Sequence, residues 1–185
     1  MYQKVFFVFL VGITLQMHSA VQASGFDVPR ESAHKYSVEL CPFSPLFNIW
    51  AVQLAGEFSP RNEWMLGVAY MNIQYDSGRS HAPGLIVGYR RFLWQGAHLE
   101  YQLWPAWNAF YEKNEQQYYK GLELWNEFRA GYVWDFRVGN QTFSLIPQVL
   151  AGFGLLPGNK PESFIQEIEN DRVFVAPILF VGYKF

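Results

Sequence analysis

The sequence predicts an all-β fold, an eight-stranded antiparallel up-and-down transmembrane β-barrel. Three observations carry this expectation. Apolar and polar residues alternate with period two through a series of segments of roughly 10–16 residues, the pattern of strands with two unlike faces. Short turns alternate with longer connections. Aromatic residues make up 19% of the chain and charged residues only 16%, yet mean hydropathy is near zero. Trp and Tyr favour places where a ring meets a polar boundary, and a membrane protein built from helices would be far more apolar.

The 185 residues suffice for one small barrel. The first 23 read as a secretory signal. Lys4 supplies the charged start, the run from Val5 to Leu15 the apolar centre, and Val21 to Ala23 a small-residue cleavage site after Ala23. The run is too short to cross about 30 Å as a helix. Residues 24–185 are then the barrel domain. Loss of Lys4, the one formal charge of the signal, moves the net charge from −2 to −3, so no basic footprint for nucleic acid exists. Cys41 stands alone and supports neither an internal disulfide nor a metal site.

Counting from the C-terminus, strands are expected near 172–185, 141–156, 120–136, 97–112, 82–93, 63–75 and 47–58. An eighth is expected at 35–41, crowded by Pro42 and Pro45. In the strand over 97–112, Leu99, Tyr101, Leu103, Trp107 and Tyr111 oppose His98, Glu100, Gln102 and Asn108. In the strand over 120–136, Leu122, Leu124, Phe128 and Tyr132 oppose Glu123, Glu127, Arg129 and Asp135, with Asn126 interrupting the apolar face. The last strand sets Val173, Val175, Pro177, Leu179, Val181, Tyr183 and Phe185 against Arg172, Gly182 and Lys184. Connections at 59–62, 94–96 and 137–140 are tight. Those at 76–81, 113–119 and 157–171 are longer, as on the outer side of such barrels. Eight strands leave an interior that side chains fill.

The closing stretch PILFVGYKF ends on Phe185, with Tyr183 third from the end and Val181 and Leu179 at alternate positions before it. It resembles the C-terminal strand of small outer-membrane barrel proteins, and the barrel pattern as a whole, which covers nearly all of the mature chain, resembles the OmpA/OmpX-like class. The resemblance implies a monomer in the outer membrane of a Gram-negative bacterium, among its lipids and lipopolysaccharide. It makes Tyr183 and Phe185 part of the signal read by the barrel-assembly machinery. It implies location and architecture, not activity.

The inward-facing charges are expected to be Glu57, Arg90, His98, Glu100, Glu123, Glu127, Arg129, Asp135 and Lys184. They suit a proton or ion path or a carboxylate pair. They suit better a salt-bridge network that plugs a narrow barrel, because buried charges need partners. The loop over 76–81 gathers Asp76, Ser77, Ser80 and His81, an acid, hydroxyls and an imidazole that suit a hydrolase or acyltransferase. Lipid A palmitoyltransferases and deacylases are similar small barrels, but their characteristic motifs are absent here, and a plain polar hairpin has the same composition. Pro105, Pro147 and Pro177 fall mid-strand on the apolar face, where proline marks a bulge or a local gap. The 157–171 loop offers carboxylates to a divalent cation, or Phe164, Ile165 and Ile168 to a partner, although plain solvated loop charge is the favoured reading. No cofactor or metal is expected. A structural or surface-interaction role leads, with a lipid-modifying enzyme and a narrow channel as alternatives.

Overall fold

The computed structural model describes residues 34–155, 159–169 and 173–185. The expected signal and its cleavage site lie outside the described residues. The strands are β1 (Tyr36–Leu40), β2 (Ile49–Ser59), β3 (Asn62–Gln74), β4 (Gly78–Trp94), β5 (Ala97–Glu112), β6 (Gln117–Tyr132), β7 (Trp134–Val138), β8 (Gln141–Leu155) and β9 (Phe174–Lys184). A 3-10 turn, Ser44–Phe47, precedes β2, and one short helix, α1 (Glu162–Glu169), precedes β9. Among the described residues no helix is long and apolar enough to cross a membrane.

All neighbouring strands are antiparallel, and the sheet closes into a ring. β1 pairs with β2 and β9, and β6 pairs with β5 and β8. β7 continues β6 along β8 in the same register: Gly131 faces Gln148 and Trp134 faces Leu145. Closure satisfies backbone groups around most of the wall, which an open sheet would leave exposed at two edges.

The mid-strand prolines coincide with gaps in the ladder, not with bulges. Register shifts occur at Glu57/Ser59 and at Phe92/Trp94, beside the tight turns. None accompanies Pro105, Pro147 or Pro177. The carbonyl oxygen of Pro147 lies 2.5 Å from the Cβ position of Gly131, so its backbone faces β6. The N–H that proline lacks is the one that would join Tyr132, where β6 gives way to β7. In β9, Phe185 and Tyr36 exchange backbone hydrogen bonds, so odd-numbered residues of β9 point toward β1. β1 ends at Leu40, opposite Val181. Pro177 therefore sits on a stretch of β9 with no strand partner on that side among the described residues, where a missing donor costs nothing. On the β4–β5 seam the ladder thins between His81 and Val87, where Pro83 and Pro105 both lack donors.

The longer strands begin earlier than their sequence pattern suggests. β4 starts at Gly78 and β6 at Gln117, so the connections at this end shrink to 75–77 and 113–116. The 157–171 segment, expected as a loop, contains α1. Phe164, Ile165 and Ile168 share its apolar stripe at helical spacing.

The two faces of the wall are reversed relative to a water-soluble core. Val68, Leu85 and Phe128 point outward, each more than half exposed. Arg90, Glu100 and Gln102 point inward and are buried. Two apolar layers flank them. One holds Ala69, Ile86 and Trp104 with Met71 and Trp125; the other holds Cys41, Phe92, Val133, Ile146 and Phe180.

Candidate functional site

The interior charges separate into three groups. The central one is built on two arginines. Arg90 on β4 reaches Glu39 on β1 with two bonds of 2.8 and 2.9 Å, Glu63 on β3 at 2.9 Å and Glu100 on β5 at 2.7 Å. Arg129 on β6 bonds Glu100 at 2.9 Å and also Glu127. Glu100 thus bridges both guanidinium groups. Five planar donors suit arginine to this multivalent clamp, and lysine would not fill it. Around it, Gln102 donates to Glu100 at 2.7 Å and to Gln53 at 2.8 Å, and Gln53 donates to Glu39 at 2.8 Å. Trp104 and Trp125 donate their indole N–H groups to Gln102 and Glu127.

His98 joins the same group. Its Nδ1 lies 3.1 Å from the carbonyl of Gly96, and its Nε2 lies 2.8 Å from the Gln148 amide nitrogen. With Nδ1–H donating to Gly96, Nε2 accepts from Gln148, which also donates to Glu100 at 3.0 Å. The ring is thereby fixed between the Gly96 carbonyl and the Gln148 amide.

The second group lies at the rim near the tight turns, where Asp135 is exposed and not enclosed. Lys184 contacts Asp135 at 2.6 Å, and Ser144 donates to the same carboxylate. Glu57, grouped with these charges by its position on β2, is half-buried. The third group lies at the opposite end. Lys160 pairs with Glu123 at 2.7 Å, Asn108 donates to Glu123, and Ser80 donates to Asn108.

This third group is where α1 caps the ring. Phe164 packs edge-on against Tyr75 at 4.9 Å and against Phe110 at 4.5 Å. Lys160 lies over the rings of Phe110 and Phe164. Ser163 donates to the buried Glu112 at 3.3 Å. Glu167 accepts from the backbone N–H groups of Asp76 and Ser77 at 2.7 and 2.9 Å and from the Ser77 hydroxyl at 2.5 Å. Burial, with the charges of Glu123 and Glu167, pushes the Tyr75 hydroxyl up to about 12, so it stays protonated in this mouth. Partial burial works to raise the pKa of Glu167. The bonds from Ser77 and Asp76, with Lys113, outweigh it and hold the carboxyl below its ordinary 4.5.

A depressed carboxyl stabilises the capped form above its unfolded pKa and ceases to do so as pH falls through the lowered value. Glu167→Gln should therefore speed hydrogen exchange of the α1 amides at neutral pH. The wild-type cap should loosen only below pH 4.5. Equal exchange in the two proteins at pH 7 would show that Glu167 does not pin the cap.

The sequence candidates for catalysis do not come together. Ser80 and His81 are adjacent on β4, so they face opposite sides of the wall. Ser80 is buried inside, and His81 is outside with its Nδ1 3.0 Å from the Tyr70 hydroxyl. Ser77 is engaged by Glu167, and Asp76 is exposed in the turn. The carboxylates of the 157–171 segment are divided as well, with Glu162 exposed and Glu167 bound to the 76–77 turn. Among the described residues no group of three or more His, Cys, Asp or Glu side chains could hold a metal ion. Phe164, one of the three residues the loop offered to a partner, is buried in the cap, whereas Ile165 is exposed.

The interior charges expected from the sequence left out Glu39 and Glu63, and also Glu112, which lies on the polar face of the 97–112 strand, and Lys160 of the 157–171 segment. Period two places Ser37, Glu39 and Cys41 on one face of β1, and sets Glu63 opposite Trp64, Leu66, Val68 and Tyr70, so the first two were within reach of the same pattern. Comparison with protein families, curated proteins and solved structures returns no match to this chain.

Proposed function

We propose that this chain is a small integral outer-membrane protein of a Gram-negative bacterium, an eight-stranded barrel with a plugged polar interior and a structural or surface-interaction role. The strand count takes β6 and β7 as one strand, since they share one register along β8. One observation carries the reading. The wall is inside-out, with Val87 47% exposed on its outer face and Arg90 1% exposed within. Exposed apolar surface of this extent demands an apolar solvent or a partner. A closed ring of strands is the β architecture a bilayer tolerates.

Aromatic side chains near both ends of the outer wall support the reading as interfacial girdles. Tyr36, Tyr183 and Phe185 cluster at one end, and Trp50, Tyr70, Tyr111 and Tyr118 lie toward the other. The two-arginine clamp and the α1 cap favour a filled barrel over a narrow channel. The separation of Ser80 from His81 and the bond of the Ser77 hydroxyl to Glu167 weigh against the lipid-modifying enzyme.

Heat-modifiable gel migration of the membrane-extracted protein tests this. A compact, fast-migrating unheated form is expected, and a chain lacking Phe185 should assemble poorly. Fractionation as a soluble protein with no heat-dependent shift would overturn the proposal.

A further inference from the structure

The outer wall also carries a cationic patch that the interior network does not use. His81 on β4, Ala109 on β5 and Lys120 on β6 are successive cross-strand partners. Strands lie about 4.8 Å apart, so the imidazole and ammonium positions flank a gap of roughly 10 Å floored by the small Ala109. One pair of residues further toward the loop end, Arg79, Tyr111 and Tyr118 form the next row, with Tyr111 and Tyr118 in ring contact at 5.1 Å. All six belong to the outward face.

The patch is held in place from β3. Asn72 accepts from Arg79 Nε at 2.6 Å. Tyr70 lies 3.0 Å from His81 Nδ1 and stacks on Trp50. With the Tyr70 hydroxyl donating to Nδ1, Nε2 carries the imidazole proton and is a donor. Among the described residues neither Arg79 nor Lys120 forms an ion pair. Of the carboxylates at this end, Glu112 and Glu123 point inward, Glu115 bonds Tyr119 and Glu167 bonds the 76–77 turn, while Glu162 is exposed on α1. Asp76, in the turn before Arg79, is the nearest acid along β4. Directly below the patch the outward face turns apolar, with Leu85, Trp107 and Leu122 about half exposed.

We propose that Arg79, His81 and Lys120 bind the phosphorylated headgroup of a membrane lipid whose chains lie on the apolar surface below. This inference rests on the outer-membrane reading above. A phosphomonoester supplies the acceptor oxygens and charge that a guanidinium and an ammonium group lack here, and charge-assisted bonds to phosphate are stronger than neutral ones. The apolar surface beneath favours a lipid over a free anion, because a free anion gains nothing from it.

Native mass spectrometry of the detergent-solubilised full barrel tests the site. The probes are phosphatidic acid, phosphatidylcholine with the same chains, and inorganic phosphate. Phosphatidic acid should be retained about tenfold more tightly than phosphatidylcholine. Arg79→Gln with Lys120→Gln should abolish that preference, as should Ala109→Trp, which fills the gap without removing charge. Inorganic phosphate at the concentration of the lipid should not compete. Equal retention of the two lipids, a preference that survives both variants, or displacement by inorganic phosphate would each overturn the inference. The heat-dependent shift of the same samples separates the lipid site from the membrane barrel. A shifting barrel without lipid preference sinks the lipid site alone, and a protein without the shift sinks the membrane reading and this site with it.

Discussion

Arg90→Ala should lower stability against urea by on the order of 3–5 kcal/mol, the cost of breaking a buried charge group by removing one partner. The expectation follows from what stays behind. Arg90 is the common partner of Glu39, Glu63 and Glu100, which reach it from three different strands at 2.7–2.9 Å. Without it, carboxylates that repel one another remain in an enclosed space. Arg129 still touches Glu100, yet it is committed to Glu127 as well and does not approach Glu39. The loss should be read from the urea midpoint of the compact, fast-migrating form. Arg90→Lys should recover only part of it, because a single ammonium cannot serve three carboxylates with planar geometry. A loss under about 1 kcal/mol would mean that water reaches the carboxylates and that the interior is not plugged.

The clamp also joins elements distant in sequence. Glu39 and Arg90 are 51 residues apart, and Gln148 lies 48 residues beyond Glu100. A strand slipped by one residue would turn its inward charge outward and break the clamp. The network therefore selects register as well as filling space.

The period-two pattern located most of the wall, since each outward face is a long apolar series. The strands over 97–112 and 141–155 agree with their expected limits to within a residue. The pattern failed where residues inside the ring are themselves apolar. Met65, Ala69 and Met71 dilute the polar face of β3, and that dilution hid Glu63. It failed again at 75–81, where small and polar residues resemble a loop. Ser80 and His81 there are ordinary alternating positions of a strand, and the apparent catalytic group was a projection of two faces onto one line of sequence. The α1 cap was concealed by its eight-residue length and by Pro161, although the Phe164, Ile165 and Ile168 spacing was helical. Pairings such as Glu39 with Arg90 depend on how β1 sits beside β9 and β2, and no local pattern encodes that.

An outer wall that faces lipid penalises a charge placed upon it. Val87→Arg tests this most directly, by folding the protein into bilayers and measuring the change in unfolding free energy. Val87 lies midway along β4, 47% exposed, opposite Leu66 and Leu103 on its neighbours. In a bilayer, arginine near mid-depth of such a wall costs about 2–4 kcal/mol. At a water-exposed position the same substitution would stay within about 0.5 kcal/mol. A loss of the larger size, falling away when the arginine is moved toward either aromatic girdle, is the predicted result. A change within the smaller range at every depth would contradict the membrane barrel.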